Sequence, residues 1–451
     1  MQAINSNAKP EPKKVKKIWI AIGTPFQANF FAPLIKDLEQ ECEFLVTARD
    51  HDGIFSILRA KGIDYIPVGK HGGKELSSKL EAYAETIQQM LPIVQREKPD
   101  LVLTERWPEA VRVAFGLNIP SWTIFYDERE THVNQMVFPL ASKIFTPRFY
   151  NLHELFQNGV ADAEKIVWFN GFHTCYLKDE QESTVNPFEK LGLEPPIVFV
   201  RPEPEFATFF PSHKPVLEKS VELIAKSGSA SIAVLPRTEA QRRHYSQMED
   251  VTVLDKSMSD CPVAHVDVAL GAAETMLMEA FVMGKPSVSA IYWPVSKPVV
   301  ELHRYIPHST EPVQIAQHVE KLLDVGEREA FREKAALLVR SMDNPARMMI
   351  DEIRRINEGD KANNVFARRS RIEIFLDIIQ STSLRPLRLT HIMRDANISH
   401  NELKKILGTL ESSGLITSEE ALGGRLYQAT SEGLRVLEDY RGIRQRLFAE
   451  Q

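Results

Sequence analysis

The strongest constraint on this chain is a rhythm of short apolar runs separated by amphipathic segments. KIWIAIG, CEFLVTAR, DYIPVG, LVLTE, SWTIFYD, KIFTP and KIVWFNG follow one another between residues 17 and 171, with segments such as FFAPLIKDLEQE and SSKLEAYAETIQQMLPIVQRE between them. Runs of this kind suit strands buried on both faces, and the helices between them supply the cover, so the rhythm predicts a parallel α/β sheet. A second series, PIVFVRPE, SIAVLPRT, VTVLD, VDVALGA and PSVSAIY, repeats the pattern between residues 196 and 292. Two such Rossmann-like units facing each other make a cleft in which the carboxyl ends of both sheets meet.

The rhythm then changes. Helical segments over residues 312–323 and 327–356 close the second unit, and INEGDKANN is a polar linker. In RRSRIEIFLDIIQ the residues Ile372, Phe375, Leu376 and Ile379 keep helical spacing, and Leu389, Ile392, Met393 and Ala396 repeat it. Ser399 and Glu402 read as a capping box opening a third helix with the buried face Leu403, Ile406, Leu407 and Leu410. A hairpin turning near Gly423-Gly424 and a closing helix complete the pattern of a winged helix. The expected organisation is a disordered basic lead (residues 1–16), two Rossmann-like domains (17–180 and 181–356), a linker (357–367) and a winged-helix domain (368–451).

Composition narrows the function classes. A net charge of −6 and a pI near 6.2 give no general attraction for nucleic acid or anionic membrane, so such binding has to be local. Three separated cysteines, Cys42, Cys175 and Cys261, offer neither a disulfide framework nor a zinc site and fit a reduced, cytoplasmic protein. No apolar run is long enough to span a bilayer, and the one after the basic lead stops at Gly23-Thr24-Pro25, short of a signal peptide's core. The first strand leads into GTPFQA rather than G-x-G-x-x-G, and no Walker sequence, metal-ligand motif or nucleophile elbow occurs. No metal or cofactor is expected.

Candidate site residues cluster at strand ends. Arg201 follows PIVFV and Arg237 follows SIAVLP, where guanidinium groups suit a diphosphate, ordinary surface ion pairing being the alternative for each. The helix after Gly271-Ala272-Ala273 opens with unsatisfied amides that favour an anionic group, yet Glu274 stands there. Glu279, further along the same helix, suits ribose hydroxyls or simply an exposed helix face. On the facing unit Glu105, Glu109, Asp127, Glu128, Glu130 and His132 are candidate acids and bases, with Asp127, Glu130 and His132 the preferred three. Gly72-Gly73 in KHGGKE reads either as an anion-binding turn with Lys70, His71 and Lys74 or as a flexible loop.

Several ordered segments, among them KIWIAIGTPFQANFFAPLIKDLE, GKHGG, PEAVRVAFGLNIPSWTIFYD, VFVRPEPEF, AVLPRTEAQR and GAAETMLMEAFVMGKPSVS, resemble domain-of-unknown-function family 354 over residues 17–355. That family is related to UDP-N-acetylglucosamine 2-epimerase. The resemblance implies a glycosyltransferase-B fold, with a nucleotide-sugar diphosphate at Thr275 and the turn from Gly271, and Glu279 on the ribose. The family turn reads G-G-G-G-T-M-x-x-E-A, so Ala272, Ala273 and Glu274 depart from it. The family's D-x-E-H after YD is here Asp127 to His132, with the histidine displaced.

Two readings follow. In the first, the cleft binds a nucleotide sugar for a transferase or an epimerase-like enzyme. In the second, a degenerate sugar-nucleotide site senses a ligand and the winged helix binds double-stranded DNA or a partner protein. Residues 365–451 carry 13 Lys/Arg against 11 Asp/Glu, an excess of two, so the rest of the chain stands at −8. The DNA candidates are Asn401, Lys404, Lys405 and Thr409 on the third helix and Arg425 in the wing. The alternative use of the winged helix is as a dimer or protein-docking module, which makes a homodimer a candidate assembly.

Overall fold

The computed structural model describes residues 14–440, apart from residues 74, 180–185, 206–209, 211–213, 256–261, 359–370, 384–385, 397–399, 422–423 and 438, and at 371–373, 394–396, 401, 402 and 421 the backbone alone. Its first sheet contains seven parallel strands, β1 (Lys17–Ile22), β2 (Glu43–Asp50), β3 (Ile66–Lys70), β4 (Leu101–Thr104), β5 (Ser121–Ile124), β6 (Lys143–Pro147) and β7 (Ile166–Phe169), in the order β3-β2-β1-β4-β5-β6-β7. β1 is central because every residue from Ile18 to Ile22 is apolar and fully buried, as a strand covered on both faces requires. It pairs Lys17 with Glu43 of β2 and Ile18 with Leu101 of β4.

The second sheet contains β8 (Ile197–Arg201), β9 (Ser231–Val234), β10 (Val251–Val253), β11 (Val268–Gly271) and β12 (Ser287–Ser289), parallel and in the order β10-β9-β8-β11-β12. The strand order therefore changes direction between β1 and β4 in one sheet and between β8 and β11 in the other. A crevice opens at each reversal, outside the carboxyl ends of the strands. Together the two sheets give the α/β, two-Rossmann architecture that the apolar rhythm predicts.

Local sequence places the elements that face these crevices. Thr24 caps the helix Pro25–Leu38, accepting from the Gln27 amide, with Pro25 at a first-turn position where its missing N–H costs nothing. The helix Glu274–Val282 buries Met276, Leu277, Met278, Ala280, Phe281 and Val282, which leaves positions 274, 275 and 279 for its cleft face. The expected single helix over residues 327–356 is instead two, Val325–Arg340 and Pro345–Glu358. Pro345 explains the break: a proline disfavours helical backbone in the residue before it and is well suited to open a new helix. That last helix lies against Pro25–Leu38, where Arg347 pairs with Asp37 at 2.7 Å and Arg354 with Glu41.

The C-terminal unit has its own core of Leu376, Ile379, Ile392, Leu403, Ile406, Leu407, Leu410, Ile416 and Tyr427. Helices Arg371–Ser381, Leu389–Ala396 and His400–Ser412 precede an antiparallel sheet in the order β13-β15-β14, made of β13 (Leu387–Arg388), β14 (Ile416–Ala421) and β15 (Gly424–Ala429). Residues 431–437 are helical again, so this is a winged helix. Ser399 and Gly423 lie outside the described residues. Among the described residues no helix is long and apolar enough to cross a membrane.

Candidate functional site

The crevices at β1 and β8 belong to one cavity of ≈ 940 Å³, lined by residues from the ends of β1, β2, β4 and β5 on one wall and of β8, β9 and β11 on the other. Arg201, Arg237, Glu274, Thr275, Glu279, Asp127, Glu130 and His132 all line it. Gly271 sits just beneath. A Cβ there would stand 2.9 Å from the Arg201 carbonyl, so glycine is required for β11 to pair closely with β8.

On the second wall, Arg201 Nη1 donates to the carbonyls of Leu235 at 2.7 Å and Pro236 at 3.4 Å. Arg237 Nε donates to the carbonyl of Pro202 at 3.1 Å. Each guanidinium is fixed by backbone, and among the described residues neither has a carboxylate within ion-pairing distance. Burial, and then the charge of Arg237, lowers the Arg201 pKa; burial lowers that of Arg237 as well. Asp52 and Glu279 offset the effect on Arg201 only from a distance. Two desolvated like charges side by side form a site that an anion stabilises.

Glu274 opens the helix beside them, and it does not stand alone. Arg129 Nη1 and Nη2 reach its two carboxylate oxygens at 2.7 and 2.9 Å, and Ser296 Oγ donates to it at 2.7 Å. The same guanidinium grips Asp127 through Nε at 2.9 Å and Nη2 at 2.8 Å. One arginine from the first wall thus holds a carboxylate from each wall, bridging the cleft with a two-sided fork. Burial alone would raise Asp127, but the hydrogen bonds and charge of Arg129, with Arg106, outweigh it and keep Asp127 below the usual carboxylate range. Asp127 is therefore held as a carboxylate, able to accept a proton or orient a group but ill suited to serve as an acid.

The remaining first-wall groups form a second network. Arg106 leaves β4 with φ 47°, a strained value for a side chain of its size, and its Nε meets Glu105 at 2.7 Å while Nη1 meets Glu130 at 3.1 Å. Gln27 Nε2 also donates to Glu105, at 3.2 Å. Burial raises the Glu105 carboxyl despite this company. The Arg106 guanidinium lies 4.7 Å over the Tyr126 ring, and Tyr126 stacks at 3.7 Å on His173. Burial pushes His173 down to about 3, so this imidazole is neutral. His132 is exposed at the cavity, on the helix Thr131–Val137.

In the winged helix, Lys404 and Lys405 are exposed on the third helix, and Thr409 donates to the Lys405 carbonyl at 3.0 Å. The Asn401 side chain lies outside the described residues. Arg425 is spent on Glu420 across the hairpin at 3.1 Å.

The sequence reading missed Arg129, Ser296, Arg106 and Arg49. Arg49 had a usable signal, because it ends the apolar run FLVTA of β2 as Arg201 ends that of β8. Arg129 had none: the mixed charges in DERE do not say which one turns across the cleft. Among the described residues no cluster of His, Cys, Asp and Glu could hold a metal ion.

A family model described as "Protein of unknown function (DUF354)" matches residues 16–358, and a winged helix-turn-helix model matches residues 368–447. The uncharacterized protein MJ0665 of Methanocaldococcus jannaschii is 28% identical over 318 residues, covering 67% of this chain and 90% of that protein. Among solved structures, the S. aureus MnaA–UDP co-structure has a TM-score of 0.59 at 18% identity, covering 77% of this chain and 98% of that one. The M. jannaschii UDP-GlcNAc 2-epimerase in complex with UDP-GlcNAc and UDP has 0.55 at 14%, covering 75% and 99%. The spinosyn forosaminyltransferase SpnP has 0.51 at 13%, covering 76% and 100%. At these identities the likeness establishes the glycosyltransferase-B type of fold.

Proposed function

The chain belongs to the DUF354 family of proteins of unknown function, and from that premise we propose that its cleft binds a nucleotide sugar, with the diphosphate on Arg201 and Arg237. The observation that carries this reading is the pair itself: two half-buried guanidiniums at the strand ends of β8 and β9, held by backbone carbonyls and facing a cavity with no carboxylate in ion-pairing reach among the described residues. A diphosphate supplies the missing charge in bidentate form. Glu279, on the cleft face of its helix, accepts from the ribose hydroxyls, and Thr275 lies beside the phosphates. The S. aureus and M. jannaschii complexes with UDP and with UDP-GlcNAc and UDP support a uridine nucleotide as the first ligand to test. The sugar then extends toward the first wall, where Glu130 and His132 are the groups for proton transfer and Asp127 stays ionised. The reaction is transfer of the sugar or epimerase-like chemistry upon it.

A second reading is favoured by one contact. Glu274 already neutralises Arg129 at the amino end of a helix, where a phosphate would otherwise be welcome. A cleft bridged in this way suits a sensor that opens for its ligand and reports through the attached winged helix. Calorimetry of the full-length protein against UDP-GlcNAc and a panel of nucleotide sugars tests the common premise. Binding should be lost by about thirtyfold or more in Arg237→Gln, the loss of a charge-assisted pair. No binding to any nucleotide sugar, or binding indifferent to Arg237 and Arg201, would remove the premise of both readings. Turnover separates the enzyme from the sensor.

A further inference from the structure

Arg201 and Arg237 do not account for every half-buried cation in the cavity. Arg49, at the end of β2, donates from Nη2 to the Gly23 carbonyl at 2.7 Å and lies 5.6 Å over the Trp107 ring. Its Nε is buried with no hydrogen-bond partner among the described residues, and Glu109 and Glu105 act on it only through space. A desolvated guanidinium with an idle donor is costly unless something completes it.

The surroundings show what would. The loop after β3 is pressed onto the start of the helix Leu76–Glu97: a Cβ on Gly72 would stand 2.5 Å from the Lys79 Cα, so glycine alone brings His71 beside Lys79. The His51 and His71 rings stack at 4.4 Å and 13°, and His71 Nδ1 accepts from the Gly73 amide at 3.1 Å, leaving its proton on Nε2 as a donor. Burial, and then the charge of Arg49, holds both imidazoles below their ordinary range, His51 at about 4. They are neutral near pH 7, so the positive charge is that of Arg49 and Lys79. One turn apart on the cavity-lining face of the same helix, Leu76 is 82% and Leu80 68% exposed. Cations beside an open apolar strip match a molecule with an anionic head and an apolar body.

We propose that the first wall carries a second anion subsite, formed by Arg49, Lys79 and His71, with His51 stacked on His71, which takes the phosphate or carboxylate of an amphiphilic acceptor whose apolar body lies along Leu76 and Leu80. This rests on the reading that Arg201 and Arg237 hold the donor, and it names the class of the donor's reaction partner.

The test uses calorimetry on the full-length protein with decyl phosphate, decanoate, methyl phosphate and the neutral octyl glucoside, all below their micellar concentrations. Decyl phosphate or decanoate should bind more tightly than the other two probes, and the tighter of the pair names the head group. Lys79→Ala and Arg49→Gln should each weaken that binding by about tenfold. The exposed double variant Leu76→Ser/Leu80→Ser should weaken decyl phosphate while leaving methyl phosphate unchanged. UDP-GlcNAc binding should be unaffected in Lys79→Ala and in the leucine variant, which also reports that they fold. Equal affinity for octyl glucoside, no binding of either anionic amphiphile, or full binding by Lys79→Ala overturns the subsite. Failure of UDP-GlcNAc to bind wild type sinks the donor reading instead, and the amphiphile titrations stand apart from it.

Discussion

The cations of the cleft and the cations of the winged helix stand in opposite physical states. In the cleft, Arg129 is shared between two carboxylates, while Arg201, Arg237 and Arg49 are desolvated and held by carbonyls. On the third helix of the winged domain, Lys404 and Lys405 stand in solvent, and in the wing Arg425 is matched by Glu420. A buried cation needs a partner, whether from the protein or from a ligand, because water no longer screens it. An exposed one needs none and is worth little alone. Net charge therefore says less about this protein's partners than the burial of its arginines does.

The harshest way to break this contrast is to remove the shared cation. Arg129→Met leaves Asp127 and Glu274 facing each other across the cleft, both largely buried and no longer paired. The expected loss is about 3 kcal/mol of unfolding free energy, read from urea denaturation. Substituting an exposed cation such as Lys405 should cost less than about 0.5 kcal/mol in the same measurement. A mild Arg129→Met phenotype would mean that the fork is solvated in solution and that the two regions differ less than their burial indicates.

A smaller effect, and one that sharpens the contrast, is expected of Glu274→Gly. The substitution takes one of the two carboxylates off Arg129, which stays paired with Asp127, and opens the helix amides at the donor site. UDP-GlcNAc should bind about tenfold more tightly by calorimetry, the gain expected from one added charge-assisted contact. Unchanged affinity would show that the Arg129–Glu274 pair orders the cleft rather than occupying the phosphate's place.

How far the sequence reached follows the same division. The parallel sheets were legible because strands such as KIWIAI and IVFVR are apolar on both faces, and the winged helix because its helices keep their apolar spacing. Arg201 and Arg237 were legible as site residues because ligands of such sheets gather at strand ends, a rule of topology. The Asp127–Arg129–Glu274 fork was not. It joins residues 145 positions apart on facing walls, and no local pattern encodes which of the charges in DERE turns inward. Glu274 accordingly reads in the sequence as a repulsive charge at a phosphate turn, although its nearest neighbour is a guanidinium. The break before Pro345 was open to the rule about residues preceding proline, but helical periodicity on both sides masked it.

The smallest effects belong to the exposed cations, where they divide by pairing. If the third helix meets the phosphates of double-stranded DNA, Lys404 and Lys405 each release about one counterion on binding. Replacing both with Ala in the full-length protein should weaken binding to random and specific duplexes alike, and flatten its dependence on salt by about one to two counterions. Arg425→Ala should change that slope by less than about half a counterion, because Glu420 already neutralises the guanidinium in the free protein. Titration of labelled duplexes at low and moderate salt reads all three proteins. An Arg425→Ala slope as flat as that of the double-lysine variant would mean that the wing gives up its internal pair to the DNA. No binding by wild type at low salt would take DNA away as the partner, leaving the winged helix to a protein surface, where exposed lysines set the rate of encounter more than the affinity.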